Sequence, residues 1–291
     1  MSSLRWCRIA FGVALVLAMS YGAGAAEPPA SLSPTLDQGF LLLYDLNFEG
    51  AHQVFASFQQ SHPDDPLAPA CDAAGLLFSE LDRLGVLEYQ FFENDHNFQS
   101  HKKLAPDPAV RDRLNAALDA AEQRAKIRLA SNPKDRDALF AMTLSTGLRS
   151  DYEALIEKRN LASLHDTRQA ADWAQQLLAV DPTCYDAHLA SGVSQYIIGS
   201  MAAPVRWILR LGGLPGDKAA GIAELRLTAQ KGYYLAPFAR ILLAIAYVRD
   251  KDMAQARQVL AGLRDQFPRN PLFAREIARL DATGFDSSPH R

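Results

Sequence analysis

Residues 39–63 read GFLLLYDLNFEGAHQVFASFQQSHP, and this stretch decides the fold prediction. Gly39 and Ala51 lie twelve residues apart. Two small residues at that spacing let one helix cross the next closely, as helical repeats require. Phe55 and Phe58 follow Ala51 at +4 and +7, so both aromatic rings lie on one face of the second helix. The pattern predicts two helices in close contact.

A proline ends this helical pair, and the same arrangement recurs along the chain. Pro63 follows Ala51 by twelve residues and stops the second helix, so we expect the pair between Thr35 and Gln60. The same spacing is found in three further pairs: Ala121/Pro133, Ala170/Pro182 and Ala256/Pro268. Because such a pair cannot bury its apolar face alone, it must stack on its neighbours. The sequence therefore predicts an all-α solenoid.

These positions resemble the tetratricopeptide repeat (TPR). The first pair matches the family's small, small, aromatic, apolar and proline positions at Gly39, Ala51, Phe55, Phe58 and Pro63. The last full repeat is similar, at Leu243, Ala244, Tyr247, Ala256, Leu260, Leu263 and Pro268. Gly192 matches in the third, whereas the second has Arg128 at a position that is usually apolar. The resemblance implies a TPR-like α-α superhelix, one domain over residues 35–284.

The stop prolines lie further apart than a repeat of about 34 residues requires. The excess predicts helical insertions or degenerate repeats at about 82–110, 148–165 and 197–218. Residues 271–280 (PLFAREIARL) predict a last amphipathic helix that caps the stack, and residues 285–291 are expected to be disordered.

A looser resemblance covers the C-terminal half. Residues 196–247 alternate apolar helices with the turns GGLPGDK and KGYYLAP. The segment is similar to the C-terminal half of the large eukaryotic TPR proteins linked to the outer mitochondrial membrane and to inclusion-body clearance. That resemblance implies no catalytic residue. Gly232 is expected to end a helix, and the adjoining Tyr233 and Tyr234 either fill a gap between repeats or anchor an interface.

The first 26 residues predict a cleaved signal peptide. Arg5 and Arg8 precede the apolar run from Ile9 to Met19, and the small residues GAGAA follow. An uncleaved membrane anchor is the alternative. Residues 27–34 (EPPASLSP) predict a flexible leader, and the processed protein is expected in the periplasm. The net charge of −3 and the lack of a basic block argue against a nucleic-acid partner.

The first helix of each pair lines the inner surface of a TPR superhelix, so the resemblance implies a binding groove. The side chains placed there are apolar: Phe140, Leu144, Leu189, Val193, Tyr196, Phe238, Ile241, Ile245 and Val248. The groove lacks the Lys, Asn and Arg set with which some relatives hold a peptide carboxylate. Such an apolar surface must be covered, either by the protein's own insertions or by a hydrophobic ligand.

The predicted insertion over Met201–Leu214 contains a short basic stripe. Arg206 and Arg210 lie one helical turn apart, and Trp207 lies between them. The helix could contact a membrane interface or a partner, or it could be buried in the groove.

No catalytic, cofactor or metal site is expected. The chain lacks the nucleophile, phosphate-loop, dinucleotide and HExxH motifs. His96 and His101, five residues apart, do not share a helical turn. Cys71 and Cys184 fall several helices apart and are expected as buried free thiols.

The expected function is that of an exported, non-enzymatic scaffold or adaptor that binds a protein segment in the apolar groove. The alternative is a carrier or sensor of a hydrophobic small molecule or lipid in the same groove. A hydrolase within the helical fold is the third class considered.

Overall fold

The computed structural model describes residues 34–87, 104–211 and 216–285, and over these residues the protein is all-helical. The expected signal peptide, most of the leader, His96, His101 and most of the tail lie outside them. The described residues form twelve α-helices and no strand: α1 Pro34–Tyr44, α2 Phe48–Ser61, α3 Leu67–Arg83, α4 Pro108–Ser131, α5 Arg136–Tyr152, α6 Asn160–Val180, α7 His188–Ser200, α8 Ala203–Leu211, α9 Lys218–Lys231, α10 Ala236–Arg249, α11 Met253–Gln266 and α12 Pro271–Phe285. The all-α prediction is confirmed.

The stop prolines end helices at a constant distance. The last residues of α2, α4, α6 and α11 each lie two positions before a proline: Ser61, Ser131, Val180 and Gln266. The residue between has left the helical conformation in each case, and at Asn132 and Asp181 its backbone is extended, with φ −140° and ψ 94° at Asn132. A proline ring clashes with an α-helical residue before it, which forces that extended conformation. Sequence alone therefore located four helix ends.

Small residues make the close helix contacts that the spacing predicts. The four alanines of the repeated pattern are buried, with at most 2% of their surface exposed: Ala51, Ala121, Ala170 and Ala256. Gly39 of α1 lies against the ring of Phe55 in α2, where a Cβ atom would come within 2.6 Å of Phe55 Cζ. The backbone of α1 can approach that ring only because no side chain intervenes.

A further helical pair has no stop proline. Helices α7 and α9 pack antiparallel, with α8 inserted between them in the chain. A Cβ atom on Gly221 of α9 would lie 2.5 Å from the backbone nitrogen of Tyr196 in α7, so the two backbones touch. Lys231 ends α9 and Gly232 follows it, as the sequence predicts.

The segment 148–165, expected as an insertion or a degenerate repeat, contains the end of α5 and the start of α6. Helix α5 continues to Tyr152 and passes into a π-helical turn over Glu153–Glu157. Lys158 then adopts a left-handed backbone (φ 58°), and α6 begins at Asn160. The extra length there belongs to α5 and α6.

The first helical pair contacts the C-terminal part of the chain. Tyr44 at the end of α1 packs its ring 5.4 Å from the ring of Phe267, and its carbonyl accepts a hydrogen bond from Asn270. The carboxylate of Asp45 pairs with Arg269. The two ends of the helical stack therefore meet, and α1 covers surfaces that an open solenoid would leave exposed.

Candidate interaction surface

The predicted groove residues of α5 are inside the protein. Phe140 and Leu144 are buried, and the Phe140 ring lies parallel to that of Tyr234 at 6.3 Å between centroids. Phe238 of α10 packs edge-on against Phe78 of α3, at 5.4 Å. These inner-facing side chains therefore already have partners within the chain.

Tyr234, whose ring covers that of Phe140, is itself enclosed by the protein. Only 2% of its surface is exposed, and its ring stacks on Phe40 of α1 at 4.7 Å. Tyr44 donates a hydrogen bond from its hydroxyl to the Tyr234 carbonyl, and the Tyr233 hydroxyl donates to Asp37. The Phe140 ring is thus covered by Tyr234 in the turn before α10, and Tyr234 is covered in turn by Phe40 of α1.

A buried carboxylate holds that turn in place. Asp186 accepts hydrogen bonds from the backbone N–H groups of Tyr233, Tyr234 and Leu235, at 2.9 to 3.0 Å. A Cβ atom on residue 232 would come within 2.6 Å of Asp186 Oδ1, which explains the glycine there. Burial raises the pKa of Asp186, and the three N–H donors oppose that rise.

The role of Asp186 could not be found from the sequence. Its partners lie 47 to 49 residues further along the chain. The sequence predicts the end of a helix at Gly232, and in the structure this residue directly follows α9. Its backbone, at φ −62° and ψ 150°, is one that any residue adopts, so the close approach of Asp186 is the reason for glycine.

Apolar side chains of α7 and α10 remain partly exposed. Leu189 and Val193 lie one turn apart on α7, and Ile241 and Ile245 lie one turn apart on α10; we call these four residues the inner stripe. Ile197, one turn after Val193, is 40% exposed. The remaining predicted groove residues are Tyr196, which is partly buried beneath Lys218, and Val248, which is buried.

Helix α8 lies outside the core. None of its side chains is buried, and Trp207 is 64% exposed. Arg206 donates a hydrogen bond to the carbonyl of Gly199 at 3.0 Å, and Arg210 is exposed. The prediction that the 197–218 insertion could be buried in the groove is therefore wrong for α8.

The two cysteines of the described residues are both inside the protein. Cys71 and Cys184 are buried and free, as predicted, and burial raises the pKa of both thiols. No group of three or more His, Cys, Asp or Glu side chains within these ranges is arranged to hold a metal ion. No described helix is long and apolar enough to cross a membrane.

Comparison of the chain with protein-family models, with curated proteins and with solved structures found no match.

Proposed function

We propose that this protein is an exported, non-enzymatic adaptor that binds an apolar segment of another protein on the inner stripe. The helical pairs would form a TPR-like superhelix, in which α7 and α10 are inner helices of neighbouring repeats. The observation that carries the proposal is the partial exposure of the inner stripe, whereas the corresponding side chains of α5 are covered from within the chain.

The spacing of the inner stripe fits a helical partner. Leu189 and Val193, like Ile241 and Ile245, present aliphatic side chains at i and i+4. An amphipathic segment with apolar residues at i, i+3 and i+4 would lay its apolar face along such a row. Covering these side chains removes apolar surface from water, which favours binding.

The test places a photo-crosslinking amino acid at position 197, beside Val193. The partner must be crosslinked through an apolar segment identified by mass spectrometry, and Ile241→Asp must abolish the product without changing the circular dichroism spectrum. The matched control is Ile127→Asp, which changes an isoleucine that is 62% exposed on α4.

Two results would contradict the proposal. Crosslinking that Ile241→Asp leaves intact would place the partner elsewhere. Acyl chains retained in native mass spectrometry, and lost in Ile241→Asp, would identify a lipid carrier instead.

The export proposal has its own test. Expression of the full chain in a bacterium should yield a periplasmic protein whose intact mass lacks residues 1–25 or 1–26. A cytoplasmic protein with the full mass would contradict it.

A further inference from the structure

Helix α8 differs from every other described helix in its burial. Among the twelve helices of the described residues, it is the one without a buried side chain. Four of its large apolar residues are exposed: Val205 at 46%, Trp207 at 64%, Ile208 at 62% and Leu211 at 70%. A helix with this exposure buries little apolar surface against its own chain.

The exposed residues are sorted by chemistry around the helix. At about 100° per residue, Trp207, Leu211, Ile208 and Val205 follow one another around a single broad arc. Arg206 and Arg210, one turn apart, occupy the opposite flank. The helix therefore has one apolar side and one cationic side.

The charge of α8 is opposite to that of the whole protein. The chain has a net charge of −3, yet no Asp or Glu occurs between Asp186 and Asp217. The two arginines are thus free of acidic neighbours in sequence, and Arg206 is bonded to a carbonyl group rather than to a carboxylate.

Both ends of the α8 insertion are fixed to the C-terminal end of α7. Arg206 bonds to the carbonyl of Gly199, and the backbone N–H of Asp217 donates to Gln195 Oε1 at 3.1 Å. Gly216 lies against α7 so closely that a Cβ atom there would be 2.5 Å from the backbone nitrogen of Gly199. The packed body therefore presents α8 outward from a fixed base.

We propose that α8 is a peripheral membrane-binding helix that lies in the interface of an anionic phospholipid bilayer. Its apolar arc would enter the boundary between headgroups and acyl chains, with Trp207 at headgroup depth. Arg206 and Arg210 would contact lipid phosphates, since two cations without acidic neighbours match an anionic surface. A protein groove would cover the apolar arc equally well, but it gives no reason for the two unopposed arginines.

Tryptophan fluorescence tests the proposal in the full chain. The chain has three tryptophans, and Trp6→Phe with Trp173→Phe leaves Trp207 as the single reporter. We expect vesicles of brominated phosphatidylglycerol and phosphatidylcholine to quench Trp207, and vesicles of brominated phosphatidylcholine alone to quench it much less.

The matched control carries Trp6→Phe and Trp207→Phe, so that Trp173 reports from the partly buried surface of α6. Trp173 should not be quenched. Absence of Trp207 quenching would overturn the proposal, and so would equal quenching of both reporters, because the leader or unfolded protein would then make the contact.

Variants of α8 separate the contribution of the arginines to vesicle binding from that of the apolar side chains. In the Trp207 background, Arg210→Ser should weaken binding to anionic vesicles about fivefold. Leu211→Asp should weaken it more than tenfold, about the effect of exchanging a buried leucine for a charge. Leu161→Asp, at a leucine that is 86% exposed on α6, should have no effect. If Leu211→Asp instead dissociates a dimer and vesicle binding is absent, α8 contacts a second copy of the chain and the proposal is wrong.

Discussion

The hydroxyl of Tyr44 donates a hydrogen bond to the backbone carbonyl of Tyr234, 2.9 Å away, although 190 residues separate the two in the chain. The bond joins the end of the first helix to the turn that precedes α10. The ring of Tyr234 also stacks on Phe40 of α1 and on Phe140 of α5. Because of these contacts, Phe140, which the sequence placed in an exposed groove, belongs to the core.

Tyr44→Phe tests whether the hydrogen bond from Tyr44 to Tyr234 stabilises the fold. The substitution leaves the Tyr234 carbonyl without its donor in a largely buried place, and we expect the free energy of unfolding to fall by about 1–2 kcal/mol. Urea denaturation followed by circular dichroism gives the value. Tyr247→Phe is the control, since the Tyr247 hydroxyl only accepts an exposed hydrogen bond from Arg226. Equal effects of the two variants would mean that the hydrogen bond from Tyr44 to Tyr234 adds nothing to stability.

Gly39→Ala tests the close contact between α1 and α2. The added methyl group would overlap the ring of Phe55, which is fully buried, so we expect a loss of about 1–3 kcal/mol. Gly262→Ala in α11 is the opposite case, because no atom lies within 4 Å of its added Cβ. There we expect a gain of about 0.5–1 kcal/mol from helix propensity. Thermal unfolding should shift in opposite directions, and a shift in the same direction contradicts the assigned packing.

Two substitutions of different severity test how much the carboxylate of Asp186 contributes to stability. Asp186→Ala removes the acceptor of three backbone N–H groups, so we expect a loss of about 3–5 kcal/mol. Asp186→Asn keeps one oxygen as an acceptor and should lose less. Asp217→Asn is the control at an exposed helix cap, where asparagine serves as well as aspartate and the change should stay within about 0.5 kcal/mol. A destabilisation below about 1 kcal/mol in Asp186→Ala would show that the turn does not depend on this carboxylate.

The carboxyl group of Asp151, near the end of α5, should make the stability of the protein depend on pH. Burial raises its pKa to about 7 from the usual 3.8. Between these values the folded protein holds a proton that the unfolded chain has released, so this group's contribution to stability falls as the pH rises. Asp151→Asn removes the effect and should unfold less readily at about pH 8. Asp151 keeps part of its surface in water, so we expect a gain of about 1–2 kcal/mol rather than the full value of the shift.

Comparing Asp151→Asn with the unmodified protein at low pH checks that the contribution of Asp151 to stability falls, rather than rises, with increasing pH. The advantage of Asp151→Asn should disappear at about pH 4, where the aspartate is protonated in the folded state. Exposed Asp64→Asn serves as the control and should leave the pH profile unchanged. An advantage that is constant across the pH range would contradict an ionisation effect.

The helical pairs could be predicted because their signals are local. Pro63, Pro133, Pro182 and Pro268 restrict the residue before them whatever surrounds the chain, and the helices end accordingly. The candidate site was harder to predict. The sequence placed Phe140 and Leu144 in a groove, yet both are buried. Phe140 carries no local sign that Tyr234, 94 positions further along the chain, will stack on it.

The amino-acid sequence by itself determined the all-helical class, four helix ends and the small residues where helices touch. Each of these follows from backbone and steric preferences that act within about one helical turn or between neighbouring helices. Only the tertiary structure decided that Asp186 holds the turn at residues 233–235, that α1 meets the C-terminal pair, and that α8 stays outside the core. These outcomes depend on which distant surfaces bury each other, and no local preference of a residue specifies its partner 47 or 190 positions away.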